Sequence, residues 1–355
     1  MSAKEKPGDT VHVVLAVYDP EGTYSQHAGV VMASIFERTR SPVHAHILHD
    51  ETMTDHNRSL LTETAESFGR TVSFHDVSAY MKQMGEDTVR IVQEGGWSLG
   101  VLFRLAIPEI LPLDKVIYLD CDIVVNMDIR ELWDISVLDC SCAGVLDSPR
   151  GRYSVTAIRM RLMGCDDRKY INSGVLLMNI PRMKERLDYR EVFLWFSRYR
   201  HYVRFPDQDL INSCFRGDIK ILEGRFNNHY ANRNEGFRGD INAHGVADSI
   251  LHASVTKPWA EPKGSAVDRL YWRTFLKTPW GRLPPEELSD LIIDVFRKSP
   301  FMHRRTSQCY KKIREKIKAE FQRNYVFMIA GLYGKHLYDE IKRFFSRGGI
   351  EKNES

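Results

Sequence analysis

Along the first 80 residues, short apolar runs typical of strands alternate with segments whose apolar residues have helical spacing. Val11 to Val17 is a short run rich in valine and predicts a strand, and Val43 to Leu48 and Val72 to Val77 are the next two strand candidates. Between them, Gly29 to Glu37 and Asp55 to Phe68 carry apolar residues at the spacing of an amphipathic helix. This alternation predicts an α/β fold, with a mostly parallel sheet covered by helices.

The alternation of predicted strands and helices continues as far as a pair of acidic residues. A helix is predicted from Ser98 to Glu109, and the strand Val116 to Leu119 runs directly into Asp120 and Asp122. Open sheets of this class bind ligands at the carboxyl ends of their strands, so the acidic pair is in position for chemistry. From about residue 140 the pattern is looser, and the clearest apolar run is Gly174 to Met178.

The C-terminal part of the chain, residues 283–355, has a different character. A helix is predicted to begin at Glu286, after two prolines, and apolar stripes among lysines and arginines indicate amphipathic basic helices. Residues 291–355 hold 15 Lys+Arg and 7 Asp+Glu, a net charge of +8, which leaves −5 for residues 1–290 out of a total of +3. We therefore expect a catalytic domain over 1–282 and a basic helical extension with an anionic partner.

The composition is that of an ordinary globular enzyme, with 43% hydrophobic and 27% charged residues. The six cysteines are scattered and include no Cys-x-x-Cys pair, which argues against a disulfide framework or a thiolate zinc site. The first nine residues are polar, and no apolar run approaches the roughly 20 residues of a membrane span. We expect a reduced, cytoplasmic setting and no nucleic-acid partner.

Asp120 and Asp122 are the first candidates for metal binding. Two carboxylates at positions i and i+2 of a strand end can reach one hard cation, Mn²⁺ or Mg²⁺, and leave positions open for a ligand's diphosphate. The alternative is a pair of solvated loop acids, although the preceding Val116 to Leu119 is too apolar for a surface loop. His252 could complete the site, or it could be a hydrogen-bonded structural histidine.

Arg104 and Lys257 could each bind a ligand, or each could have an ordinary structural role. Arg104 has apolar neighbours, and a buried guanidinium needs an anion, which could be a protein carboxylate or a ligand's phosphate. Lys257 could neutralise a phosphate oxygen, or it could be an ordinary surface lysine.

Two polar segments could recognise a sugar. Asp207 and Asp209 flank Gln208, and could supply a sugar-binding carboxylate or the N-cap of the helix that follows. The segment Asn172 to Gly174 could present an amide where glycine permits close approach, or it could be a turn.

Several short motifs occur in a defined order between Val11 and Trp280. They are Tyr24-x-x-His-x-Gly-Val30, Arg104, Tyr118 to Asp122, Asn172 to Asn179, Asp207 to Asn212, Arg225 to Asn227, His252 and Lys257 to Trp259. In this order and at these distances the chain resembles the family 8 glycosyltransferases, particularly bacterial enzymes that add galactose or glucose to cell-surface glycans.

The resemblance implies a GT-A-type, Rossmann-like fold, a UDP-sugar donor, Mn²⁺ with Mg²⁺ as an alternative, and a glycan or glycolipid acceptor such as that of lipopolysaccharide biosynthesis. By position, Asp120, Asp122 and His252 would hold the metal, and Asp147 would face the acceptor. The donor would contact Asp19, Tyr24, Arg104, Asp120, Cys121, Asp122, Asn172, Ser173, Gly174, Asp207, Gln208 and Lys257. Among these, Tyr24 would stack on uracil and Asp19 would read its edge.

The resemblance also implies retention at the anomeric carbon, with Gln208, Asp207 and Arg104 as the catalytic residues. Retention needs either a covalent intermediate or same-face substitution, and the amide of Gln208 is a poor nucleophile, which favours the second. The chain departs from the family pattern in two places. Asp19 lies five residues ahead of Tyr24, and the segment from His252 to Lys257 is one residue short, with Val255 where a glycine is usual.

Two other classes of function remain open on the residues alone. A metal-dependent nucleotidyltransferase would carry a Gly-rich phosphate loop near the first strand, whereas Tyr18 to Ser25 contains only Gly22. A non-catalytic nucleotide-sugar-binding protein would not need the metal acids, His252 and Lys257 together. The basic segment 286–355 is expected to contact an anionic membrane, peripherally at the inner face of the cell membrane, unless its helices pack on the catalytic domain.

Overall fold

The computed structural model describes residues 10–147, 154–228, 247–254, 257–260 and 266–282. The predicted helical extension, its boundary at residue 283 and its expected membrane contact lie outside these residues. Within the described ranges, no helix combines the length and the apolar composition needed to cross a bilayer.

The strands fall into one large and one small sheet. In chain order they are β1 Val11–Val17, β2 Val43–His49, β3 Thr71–Asp76, β4 Lys115–Leu119, β5 Ile123–Val125, β6 Cys142–Leu146, β7 Ile171–Asn179, β8 Ile219–Leu222 and β9 Ile250–His252. The large sheet has the order β3-β2-β1-β4-β7-β6-β8, and β5 pairs with β9 in the small one.

Four of the six pairings in the large sheet are parallel. Strands β3, β2, β1 and β4 run parallel to one another, and β6 is parallel to β8. Strand β7 is antiparallel to both of its neighbours, β4 and β6. The predicted mixed, mostly parallel sheet of an α/β fold is therefore confirmed, and β7 is its antiparallel strand, at a place that no local pattern indicated.

Helices flank the large sheet on both faces. In chain order they are α1 Ser25–Arg38, α2 Asp55–Ser67, α3 Ser78–Gln83, α4 Glu86–Glu94, α5 Gly100–Phe103, α6 Ile107–Ile110, α7 Arg130–Trp133, α8 Val155–Leu162, α9 Ile180–Lys184, α10 Tyr189–Tyr199, α11 Pro206–Cys214 and α12 Ala266–Phe275. Short 3₁₀ turns occur at Arg104–Ala106, Gly224–Asn227 and Pro279–Arg282.

Strand β1 shows why its sequence is an unbroken apolar run. Val13 and Leu15 lie in the core that contains α1 and α2, whereas Val14 and Ala16 lie in the core on the opposite face, with α5 and α11. A strand buried on both faces needs apolar residues at every position, because successive side chains point to opposite sides of the sheet. The predicted boundaries of β1 are confirmed.

Some local predictions were wrong. The helix predicted from Ser98 to Glu109 is divided into α5, a 3₁₀ turn and α6. Pro108 has no N–H to donate to the carbonyl of Arg104, so a continuous α-helix loses a bond there. Strand β6 was not predicted, because Cys142 to Leu146 is short and includes a glycine.

Two of the structural alternatives can now be judged. The segment Asn172 to Gly174 lies within β7, so its interpretation as a turn is wrong. Asp207 and Asp209 lie inside α11, whose N-cap is Phe205, so neither is the N-cap residue. Pro206 begins this helix because its fixed φ and missing N–H suit the first helical position.

Candidate functional site

Three candidate metal ligands converge at the carboxyl end of β4. Asp120 and Asp122 lie in the turn between β4 and β5, and the Asp120 amide donates to the Gly174 carbonyl of β7 at 2.8 Å. The antiparallel pairing of β5 with β9 sets Ile123 opposite His252. One ligand atom from each of Asp120, Asp122 and His252 lies within 4.8 Å of the other two.

The His252 imidazole stands between the two carboxylates. Its Nε2 is 3.2 Å from Asp122 Oδ1 and 3.9 Å from Asp120 Oδ2. Burial alone would lower the pKa of His252, but the Asp122 and Asp120 carboxylates outweigh burial and raise it. Burial likewise opposes ionisation of Asp122, but the charges of His252 and Lys257 hold its pKa far below the usual range. The ionised carboxylate of Asp122 is thus stabilised by positive charge on both of its oxygens.

Asn227 orients the His252 ring. The His252 Nδ1–H donates to Asn227 Oδ1 at 2.9 Å, which leaves Nε2 directed at the carboxylates. The Asn227 amide in turn donates to Asn172 Oδ1 at 2.8 Å. A partner on the far ring nitrogen is what fixes the tautomer of a metal-binding histidine. Sequence reasoning gave Asn227 no role, although it belongs to the motif Arg225 to Asn227.

Gly174 leaves the space that two of the three ligands, His252 and Asp120, occupy. A Cβ atom at this position would lie 2.3 Å from His252 Cε1 and 2.8 Å from Asp120 Oδ2. Any side chain on Gly174 would therefore displace the imidazole or the carboxylate. The group that lies closest to Gly174 is His252, and the predicted approach of a sugar to this glycine stays a prediction.

These residues fit a divalent cation. Two carboxylates and an imidazole form a donor set used by Mn²⁺ and related ions. The buried Oδ1 of Asp122 accepts no hydrogen bond, and with His252 Nε2 at 3.2 Å it can serve as a ligand to a cation shared with that nitrogen. Lys257 supplies a positive charge on the other oxygen, because its ammonium pairs with Asp122 Oδ2. The sequence interpretation of the acidic pair as solvated loop residues is wrong for Asp122, which is buried.

Arg104 is bound by the protein itself. Its guanidinium pairs with Asp120 Oδ1 at 2.7 Å and Asp207 Oδ2 at 3.1 Å, and donates to the Ser173 carbonyl at 2.7 Å. It also stacks over the Tyr118 ring at 4.4 Å. The sequence left open whether Arg104 pairs with a protein carboxylate or with a ligand's phosphate, and the structure shows protein carboxylates. The contact of Arg104 with a donor stays a prediction.

Gln208 links the metal side of the site to Asp147. Its Oε1 accepts from the Ser173 amide at 3.1 Å, and its Nε2 donates to Asp147 Oδ2 at 3.3 Å. The neighbouring Asp207 is buried, and burial raises its pKa despite the charge of Arg104. The candidate donor-sugar and acceptor residues therefore form one hydrogen-bonded group, although no ligand contact is established for any of them.

Asp209, the other acid of α11, has a structural role. Its carboxylate accepts from the Tyr170 hydroxyl at 2.5 Å and from the amides of Arg204 and Phe205, and it pairs with Arg159 at 2.7 Å. With its side chain fully buried and these donors around it, Asp209 holds the start of α11 in place.

Asp19 fixes the start of α1 in a similar way. Its buried carboxylate accepts from the amides of Tyr24 and Ser25, from the Ser25 hydroxyl and from the Asn57 side chain, at 2.5–3.0 Å. Tyr24 remains 36% exposed, so part of its ring is accessible to a ligand. The Cys121 thiol is buried against the Ala16 carbonyl, and burial raises its pKa. Contacts of Asp19, Tyr24 and Cys121 with a donor stay predictions.

The comparison with known families matches this arrangement. The model of glycosyl transferase family 8 matches residues 16–262, which is well over half of the chain. The chain belongs to this family. The match includes every residue of the candidate site and ends before the basic C-terminal region, residues 283–355.

Relatives and solved structures agree with the family 8 assignment. An Escherichia coli lipopolysaccharide 1,2-glucosyltransferase is 25% identical over 276 residues, 74% of this chain and 77% of that protein. A Haemophilus influenzae relative is 24% identical over 216 residues, 59% of this chain and 62% of its own length. The galactosyltransferase LgtC, solved with donor and acceptor sugar analogues, superposes with a TM-score of 0.62 at 22% identity, over 79% of this chain and 100% of that one. This last likeness confirms the GT-A fold.

Proposed function

We propose that this family 8 glycosyltransferase moves a hexose, galactose or glucose, from a UDP-sugar to a glycan or glycolipid acceptor, with retention and with Mn²⁺. The observation that carries the proposal is the convergence of Asp120, Asp122 and His252 beside Gln208 and Asp147. The E. coli relative named as a lipopolysaccharide glucosyltransferase supports a cell-surface acceptor. Family membership removes the reason to consider a nucleotidyltransferase.

The metal would be held by Asp120, Asp122 and His252, and Mg²⁺ could replace Mn²⁺. When bound, a divalent cation stabilises charge on a departing diphosphate. The Lys257 ammonium pairs with Asp122, which is also a proposed metal ligand. It would therefore add a second positive charge beside that of the metal ion. Arg104 pairs with both Asp120 and Asp207 and so fixes the two carboxylates relative to each other.

Same-face substitution suits the groups around Gln208. A double displacement requires a carboxylate nucleophile, but the Asp207 carboxylate is turned toward Arg104 and its pKa is raised. The Gln208 amide is neutral and is oriented by Ser173 and Asp147. It can support an oxocarbenium-like state without forming a bond. In this proposal Asp147, which accepts from Gln208 Nε2, faces the acceptor and orients its hydroxyl.

A screen of UDP-sugars for Mn²⁺-dependent release of UDP tests the proposal. We expect release from UDP-galactose or UDP-glucose, abolished in Asp122→Asn and retained in the surface control His56→Ala. An NMR time course with acceptor should show a product with the donor's anomeric configuration. An inverted product would refute the mechanism, and tight UDP binding without turnover would favour the non-catalytic alternative.

For residues 286–355 we propose peripheral contact with an anionic membrane, where a lipid-linked acceptor would be found. The support is the net charge of +8 over 291–355 together with the apolar stripes. Co-sedimentation of the full chain with phosphatidylglycerol vesicles should weaken with salt. Replacing Lys311, Lys312 and Lys316 by glutamate should abolish it while leaving UDP-sugar hydrolysis intact. Equal sedimentation of both proteins would contradict the proposal.

A further inference from the structure

A buried histidine of helix α1 stacks on the segment that carries Lys257. The His27 ring lies 3.7 Å from the Trp259 ring between centroids, with an angle of 17° between their planes. Its Nδ1 is 2.6 Å from the Tyr271 hydroxyl of α12. Only 4% of His27 is exposed, so this ring is enclosed between two elements that are far apart in the sequence.

Trp259 is two residues from Lys257, in a short turn. The Ala260 amide donates to the Lys257 carbonyl at 3.1 Å, which closes the turn. The Trp272 indole donates to the Pro258 carbonyl at 3.2 Å and holds the same turn from the side of α12. The position of the Lys257 backbone therefore depends on what Trp259 packs against.

His27 also contacts the candidate base-binding ring. Tyr24 lies one helical turn earlier, and the two rings meet edge to face at 5.5 Å and 83°. Burial lowers the pKa of His27 to about 3, with the nearby Lys257 contributing and Asp122 opposing. The ring is therefore neutral at physiological pH and can stack on Trp259 without placing a second cation beside Lys257.

We infer that His27 is a positioning residue for Lys257: its stack with Trp259 holds the lysine-bearing turn where the ammonium reaches Asp122 and a bound diphosphate. The inference rests on the proposed UDP-sugar function. It does not require His27 to touch any ligand. Helix α1 then has two roles. Its start positions Tyr24, and its His27 positions Lys257 through Trp259.

Calorimetry of UDP binding in the presence of Mn²⁺ provides the test, with the variants made in the full chain. Loss of an aromatic stack is worth roughly 0.5–1.5 kcal/mol, so His27→Ala should weaken UDP binding about 3–10-fold. His27→Phe keeps a ring for Trp259 and should restore most of the affinity. His56→Ala, at an exposed position of α2, is the control and should bind as the wild type does.

A double-mutant cycle separates positioning from a general loss of stability. In a Lys257→Ala background, His27→Ala should change UDP binding less than twofold, because its effect is transmitted through the lysine. Equal losses in both backgrounds would overturn the inference. If Lys257→Ala alone leaves UDP binding unchanged, the phosphate role of Lys257 and the inference fail together, whereas absence of Mn²⁺-dependent UDP binding in the wild type defeats the proposed function itself. Should His27→Ala not fold, Trp259→Leu removes the same stack and completes the cycle.

Discussion

Replacement of Gly174 by alanine tests the geometry of the metal site with one methyl group. The added Cβ would lie 2.3 Å from His252 Cε1, where nonbonded carbon atoms settle at about 3.5 Å or more, so the imidazole must retreat by about 1.2 Å. The Asp120 carboxylate, 2.8 Å from the same Cβ, restricts the other direction of escape. The strand itself tolerates alanine, so the change acts on the ligands and not on the sheet.

A displacement of about 1 Å in a preorganised site costs roughly 100-fold, or about 2.7 kcal/mol. Gly174→Ala should therefore weaken Mn²⁺ binding by about this factor, as measured by calorimetry or by electron paramagnetic resonance of free Mn²⁺, with little change in melting temperature. The matched control is Gly224→Ala, because a Cβ there meets nothing within 4 Å. Wild-type Mn²⁺ affinity in Gly174→Ala would show that His252 and Asp120 do not bind the metal together.

Two further predictions follow from the same structure. Asn227→Ala removes the acceptor of His252 Nδ1–H and should weaken Mn²⁺ binding about 10–100-fold, whereas Asn227→Asp, which keeps an acceptor, should lose less; equal losses would remove Asn227 from its orienting role. His46 gives a pH dependence, because burial and the neighbouring His44, His75 and His12 lower its pKa to about 3. The unfolded chain protonates this group below about pH 6.5 and the folded chain does not, so the free energy of unfolding should fall as pH drops, by up to about 2 kcal/mol between pH 7 and pH 5 for this one group. Urea titrations at both pH values should show a smaller fall in His46→Gln, and an identical fall would contradict the assignment.

The first half of the fold could be predicted because its information is local. Strands β1 and β4 are apolar at nearly every position since both of their faces are buried, and α1 and α2 carry a stripe at helical spacing. The position of Asp120 and Asp122 followed from the same local rule, because they come directly after a buried strand. The motifs that indicated family 8 are likewise contiguous pieces of sequence.

The composition of the site depended on contacts between distant segments. His252 reaches Asp122 because β9 pairs with β5, and Gly174 lies against His252 and Asp120 because β7 pairs antiparallel with β4. Strand order and register are set by the packing of the whole sheet, and no periodicity within a single strand encodes them. Asn227 escaped notice for this reason, since its function exists only through its contact with His252.

Arg104 separates a requirement that is local in the sequence from a contact that depends on the fold. Apolar neighbours on both sides established from the sequence that the guanidinium would be buried and would need an anion. Which anion it meets depends on the folding of β4, β7 and α11 around it, and these bring Asp120 and Asp207 within 3.1 Å. The physical requirement is local, because burying an unpaired charge is costly wherever it occurs, but the partner is supplied by the fold.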